Sequence, residues 1–142
     1  MTATRSRKEE ITYKKHLKSQ PKGCPFCRIE KGSDQLVEET KYFKVIRNIF
    51  GYSLWDGQSV TDHLMLVPKK HTASIADIPK AGAAEFVEIL GRYEKKSYNI
   101  YARAPASVIK SVVHQHTHLI KPAGRPKRFV LLLRKPFVRF HI

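Results

Sequence analysis

The chain is 142 residues long, carries 27 Lys+Arg against 12 Asp+Glu for a formal net charge of +15, and is 42% hydrophobic. That length supports one conventional core burying roughly 68–70% of the unfolded surface. No apolar run approaches the ~20 residues that span a bilayer, no apolar segment follows the basic start, and Cys24 and Cys27 lie too close together to frame a fold, so membrane-spanning and secreted classes are disfavoured and a reducing cytoplasm is expected.

Residues 1–22 read as a basic arm, in which Arg5, Arg7, Lys8, Lys14, Lys15, Lys18 and Lys22 face only Glu9 and Glu10, with a helix from about Ser6 to Leu17. Residues 23–142 read as a single domain. It opens on a Cys24-Pro-Phe-Cys27 knuckle, and Leu36 to Ile46 then alternates in a way that predicts two short strands meeting near Glu39–Lys41. Phe50 to Thr61, rich in Gly, Ser and Asp and carrying Trp55, reads as a loop that could border a site. His63 to Val67 is a compact apolar strand stopped by Pro68, because proline cannot donate to a ladder.

From Lys80 to about Tyr101, Phe86, Ile89, Leu90, Tyr93 and Ile100 recur at three- and four-residue spacing, predicting one long amphipathic helix. Ser107 to Ile120 is expected to form two strands separated by a bend near Lys110–Ser111, Pro122 to Pro126 a turn, and Phe129 to Leu133 a last strand limited by Pro136. Strands first, one helix, then more strands favours an α+β fold on an antiparallel sheet. The last 22 residues carry Lys121, Arg125, Lys127, Arg128, Arg134, Lys135 and Arg139 with no acidic residue, interleaved with Phe129, Phe137 and Phe140. Such a mixture attracts phosphates and could contact nucleic acid, although a solvated basic surface explains the N-terminal run about equally well.

The most informative segment is Ser111 to Ile120, where His114, His116 and His118 alternate in an apolar strand and so share one face, neighbours roughly 6.6 Å apart. Imidazole titrates near neutrality, so one ring can attack as a neutral nucleophile while another donates a proton. Histidines kept only for packing would explain one such residue, not three in register. Three alternating positions span about 13 Å, too wide for a single zinc with ~2.0 Å bonds. Cys24 and Cys27 can supply two thiolates to a tetrahedral zinc whose other ligands must be histidines or carboxylates; an unmetallated pair and a dithiol switch are the alternatives. His16 and His141, in the terminal arms, read as surface residues.

His114-Gln-His116-Thr-His118-Leu-Ile120 resembles the signature of the histidine triad (HIT) superfamily of nucleotide hydrolases and transferases. His63-Leu-Met-Leu-Val-Pro-Lys-Lys-His71 is similar to a strand and turn of that family, and Cys24-Pro-Phe-Cys27 to the cysteine pair of its zinc-containing members, so the likeness runs from residue 24 to about 122. It implies a HIT-like α+β fold with about five antiparallel strands and one long helix, commonly paired into a homodimer, to which Phe129–Leu133 could contribute.

The resemblance also implies attack on the α-phosphorus of a nucleoside phosphate, with dinucleoside polyphosphates among the candidates, giving a nucleotidyl-histidine that water or another acceptor resolves. His116 matches the nucleophile, His118 the group stabilising the phosphate, Ser111 the hydroxyl that assists the leaving group, His63 a supporting histidine and Asn48 the holder of the ribose hydroxyls. Phe43, Val45, Ile46 and Ile49 are base-pocket candidates that core packing would explain as well, and His71 and His114 would complete a structural zinc site. Arg103 and Lys110 depart from the common hydrolase pattern of an asparagine and a Gly-rich turn ending in glutamine, and their charge would favour a polyphosphate or a nucleic-acid 5′ end. Two further readings compete: a nucleic-acid-binding module using the same pocket, and a nucleotide sensor without efficient turnover.

Overall fold

A computed structural model of the chain describes residues 4–126, 130–134 and 137–141. Ser6 caps the first helix, α1 (Arg7–Ser19), through a reciprocal box: its hydroxyl accepts from the Glu9 amide while the Glu9 carboxylate accepts from the Ser6 amide. The domain then builds β1 (Leu36–Glu39), β2 (Phe43–Arg47), β3 (Leu54–Trp55), β4 (Gln58–Pro68), α2 (Lys80–Glu94), β5 (Asn99–Ala102) and β6 (Thr117–Pro126). The fold is α+β. Its antiparallel sheet runs β1-β2-β4-β6-β5, with β3 as a sixth strand paired to β4. Val130–Arg134 and Phe137–His141, β7 and β8, pair with each other as a separate hairpin.

Alternation along the central strands divides the protein into two layers of side chains. Phe43, Val45, Leu64, Leu66 and Leu119 point to one face and are covered by Ile89 and Tyr93 of α2. Ile46, Met65 and Val67 point to the other, where Phe26 and Ile29 of the cysteine knuckle cover them. This second face carries the histidines. Across it β4 places Met65 opposite His118, and β5 places Tyr101 opposite His118 from the other side. Among the described residues no helix is long and apolar enough to cross a membrane.

Several expected elements are redrawn. The segment from Phe50 to Thr61 is not all loop: Asp56 and Gly57, both at positive φ (47° and 71°), make a tight turn of the kind that matches strand twist, so β3 folds onto an early start of β4. The long helix stops at Glu94 rather than near Tyr101. Ser97 adopts φ 67° and the Tyr98 amide donates back to the Tyr93 carbonyl, a Schellman-type stop that frees Ile100 for β5.

Residues 107–116 are not a strand; Val108 is 99% exposed, so its apolar character marks no core. Pro122 to Pro126 continues β6 instead of turning, because register shifts opposite Gln58–Asp62 accommodate prolines that cannot donate to a regular ladder. The last strand is joined by β8, which the pattern did not predict. Phe129, Pro136, Lys127, Arg128 and Lys135 lie outside the described residues.

Candidate functional site

A cavity of about 560 Å³ opens on the histidine face, between α1, the cysteine knuckle, residues 48–52 and residues 103–112. Ser111, His116, His118, Asn48, Arg103 and Lys110 all line it. His63 lies behind them, 5% exposed, and His71, His114, Cys24 and Cys27 gather beside the cavity rather than in it. The four base-pocket candidates separate: Ile49 lines the cavity, Ile46 lies in the knuckle core, and Phe43 and Val45 face α2 on the opposite side of the sheet. Phe43 and Val45 are therefore core residues, since a strand's alternate side chains cannot reach across it.

Hydrogen bonds settle the tautomers of three rings. His116 Nδ1 lies 2.8 Å from the His114 carbonyl, which can only accept, so Nδ1 carries the proton and Nε2 keeps its lone pair. The Tyr52 amide donates to His63 Nδ1 at 2.9 Å, so in the neutral ring the proton sits on Nε2 and is given to His118 Nδ1, also at 2.9 Å. His118 then carries its proton on Nε2, a buried donor with no hydrogen-bond partner among the described residues. In this arrangement the 3.3 Å approach of Asn48 Nδ2 to His63 Nε2 sets donor against donor, while Asn48 Oδ1 accepts from the Phe50 amide. Gly51 packs closely on this relay: a Cβ there would stand 3.3 Å from His63 Cβ, tighter than an ordinary contact, so the His63 side chain or the loop would have to shift.

The same rings are held neutral. Burial pushes His63 down to about 3 and, with the charge of His116 and His63 adding to it, His118 down to about 2. Burial also lowers His116, aided by the Lys110 and Arg103 charges and opposed by the bond to the His114 carbonyl. Lys110 is itself lowered by burial, with Nζ on the Ala73 carbonyl at 3.1 Å and the Gln115 side chain at 3.4 Å. The site thus offers a neutral ring with a free lone pair, a neighbouring ring 5.0 Å away with a free N–H, and cations that include Arg103 and Lys110. That combination suits attack on a phosphorus while a donor meets its oxygens.

Beside the cavity, Cys24 Sγ lies 3.4 Å from His114 Nδ1, and Cys27 Sγ lies 3.4 Å from His71 Nδ1 and 3.6 Å from His114 Nδ1. All four donor atoms fall within 4.8 Å of one another. A tetrahedral zinc with bonds of about 2.3 Å to sulfur and 2.0–2.1 Å to nitrogen requires S···N edges of about 3.5 Å, so the donor set fits. Burial and the neighbouring Cys24 thiol raise Cys27, and burial with the His71 charge brings His114 down to about 4, the neutral form that can donate a lone pair.

Sequence reasoning overlooked Tyr52 and the α1 side chains. The Tyr52 ring packs 4.6 Å from His63, 5.4 Å from His118 and flat on Trp55 at 5.9 Å, and its hydroxyl accepts from Arg103 at 3.1 Å. An aromatic in a Gly- and Ser-rich loop was the available signal. His16, read as a surface residue, lines the cavity and packs 4.5 Å from Phe50, whereas the His141 side chain lies outside the described residues. Nothing short of the fold brings α1 here, because its sequence has too few apolar residues to announce a docking face.

No family model matches the chain. It is similar to the adenosine 5′-monophosphoramidase HNT1 of Saccharomyces cerevisiae, 31% identical over 110 residues covering 74% of this chain, and it spans only 63% of that relative's length. A HIT family hydrolase from Legionella pneumophila superposes with a TM-score of 0.52 at 27% identity, over 72% of this chain and 94% of that one. A Zn-bound histidine triad family protein from Mycobacterium smegmatis shares the fold with a TM-score of 0.54 at 22% identity, over 74% of this chain and 80% of that chain.

Proposed function

The chain belongs to the histidine triad superfamily, and from that premise we propose that it is a nucleotide hydrolase that opens a nucleoside phosphate at the α-phosphorus through a nucleotidyl-histidine. The observation that carries this reading is the tautomer relay: the Tyr52 amide through His63 leaves His118, a residue of the cavity wall, with an unengaged N–H, while the His114 carbonyl leaves His116 Nε2 unprotonated. Nε2 attacks phosphorus, the N–P bond forms, and the P–X bond breaks with its electron pair going to the leaving atom. Ser111 gives that atom a proton. His118 Nε2–H, Arg103 and Lys110 meet the charge redistributed over the phosphoryl oxygens, where donors fixed in advance favour the transition state over the bound substrate. Water then attacks phosphorus and gives up a proton that restores the one Ser111 lost, and the imidazole leaves with its lone pair restored.

Asn48, at the end of β2 and on the cavity wall, takes the ribose hydroxyls, and His63 keeps His118 oriented. The hydrolase of Saccharomyces cerevisiae is named for a phosphoramidate of adenosine; here the cationic wall of Arg5, Arg28, Arg103 and Lys110 favours a longer phosphate chain, including a dinucleoside polyphosphate. An acceptor other than water would make the same intermediate a nucleotidyl donor. The same wall supports a second reading, a nucleic-acid 5′ end bound with the basic termini on the backbone, whose affinity would fall steeply with salt.

Zinc held by Cys24, Cys27, His71 and His114 completes the proposal. When bound, it would tie the knuckle to the segment after β4 and to the segment that leads into β6, a structural crosslink through which no chemical step passes. Assembly as a cytoplasmic homodimer is the corresponding proposal for the molecule as a whole.

The deciding experiment is intact-protein mass after brief incubation with adenosine and guanosine polyphosphates and phosphoramidates, for wild type and His116→Ala. A transient nucleotidyl adduct and turnover, both lost in the variant, are expected. Absence of both in the wild type with every nucleotide would overturn the reading in favour of nucleic-acid binding.

A further inference from the structure

Helix α1 buries none of its residues, so hydrophobic packing does not explain why it lies against the cavity. What holds it is a set of polar and aromatic contacts to residues 50–54. The Thr4 carbonyl accepts from the Ser53 and Leu54 amides at 3.0 and 3.2 Å, the Ser53 hydroxyl donates to Glu9 at 2.9 Å, and the Arg5 guanidinium donates to the Phe50 carbonyl between the Tyr13 and Tyr52 rings. The result is a precise delivery. Tyr13, its ring 5.4 Å from Phe50, places its hydroxyl on Ser111 Oγ and donates to it.

A serine hydroxyl has one proton to give and two lone pairs with which to accept. Tyr13 occupies a lone pair, which leaves the serine proton free for the cavity and polarises it, since bonded hydroxyls strengthen one another. We propose that Tyr13 of the N-terminal helix is a positioning residue for departure of the leaving group, holding Ser111 so that its proton meets the departing atom. The inference rests on the nucleotide-hydrolase reading above and adds to it a residue outside the triad. In the step, the electron pair of the breaking P–X bond takes the Ser111 proton, Ser111 Oγ draws the Tyr13 proton in turn, and water returns a proton to the phenolate. A leaving group that is stable as an anion needs none of this.

The test is Tyr13→Phe, which removes the hydroxyl and keeps the ring against Phe50 and Arg5. It is assayed on two derivatives of AMP, an alkyl phosphoramidate whose amine must be protonated to leave and a p-nitrophenyl ester whose phenolate leaves unaided. The expected result is a kcat about tenfold lower on the phosphoramidate, as for loss of one useful hydrogen bond, with the ester within about twofold of wild type. In a Ser111→Ala background the same substitution should have no further effect. Equal loss on both substrates, or no loss on the phosphoramidate, overturns the inference: in the first case Tyr13 only docks the helix. If Ser111→Ala slows both substrates equally while His116→Ala abolishes turnover, the inference falls and the nucleophile reading stands; if His116→Ala turns over like wild type, the hydrolase reading has failed first.

Discussion

Replacing Cys27 by serine removes one of two sulfur donors from the cluster beside the cavity, and the cost follows from the geometry. The S···N separations of 3.4, 3.4 and 3.6 Å bracket the edge of about 3.5 Å that a zinc tetrahedron requires, so little rearrangement should precede binding. At free zinc 100-fold above its dissociation constant, binding to the folded state alone stabilises it by about 2.7 kcal/mol. For a domain of this size that corresponds to a shift of about 5–10 °C in melting temperature. Cys27 is exposed, so the exchange of sulfur for oxygen should cost little by itself. Thermal melts in zinc-buffered solution should therefore separate wild type from Cys27→Ser by that interval, and the two should coincide once a chelator is added. Elemental analysis should find one zinc per wild-type chain, and cobalt substitution should give a thiolate charge-transfer band. Identical melting temperatures with and without chelator, together with no bound zinc, would refute the argument.

Acid should destabilise the protein before its carboxylates titrate. Because His63 is depressed to about 3, the unfolded chain takes up protons first, and the ring's contribution, complete above about pH 6.5, is lost as pH falls from there toward 3, by at most about 1.4 kcal/mol per unit. Urea midpoints of wild type and His63→Gln at pH 7.5, 6 and 5 check this; a difference independent of pH would count against it. In the α2-side core, Leu66 is 0% exposed, and Leu66→Ala should cost about 2–5 kcal/mol in urea unfolding; a loss under about 1 kcal/mol would mean that the core re-packs around the gap.

The histidine segment was legible because its pattern is local. Two-residue spacing brings His116, just before β6, and His118, within it, to the same side of the chain, and both line the cavity. The Cys24–Cys27 spacing is local as well, and it made a two-thiolate half-site visible before the fold brought His71 and His114 to it. Periodicity failed where an apolar residue belongs to neither period. Val108 suggested a strand but sits in solvent, and Ile100 continued the helical spacing although the Ser97 conformation had already ended α2.

The sequence by itself determined the α+β class, the two-face alternation of the central strands and the residue types available for phosphate chemistry, because each follows from spacing along one segment. Only the tertiary structure decided which proton each imidazole carries, since that depends on the Tyr52 amide and the His114 carbonyl being brought within 2.9 and 2.8 Å of particular ring nitrogens. Only it, too, set α1 against the cavity with Tyr13 on Ser111, a contact between residues 98 apart in the chain. Hydrogen bonds act over about 3 Å in a direction fixed by the donor, and no periodicity in a sequence encodes which distant segment will supply one.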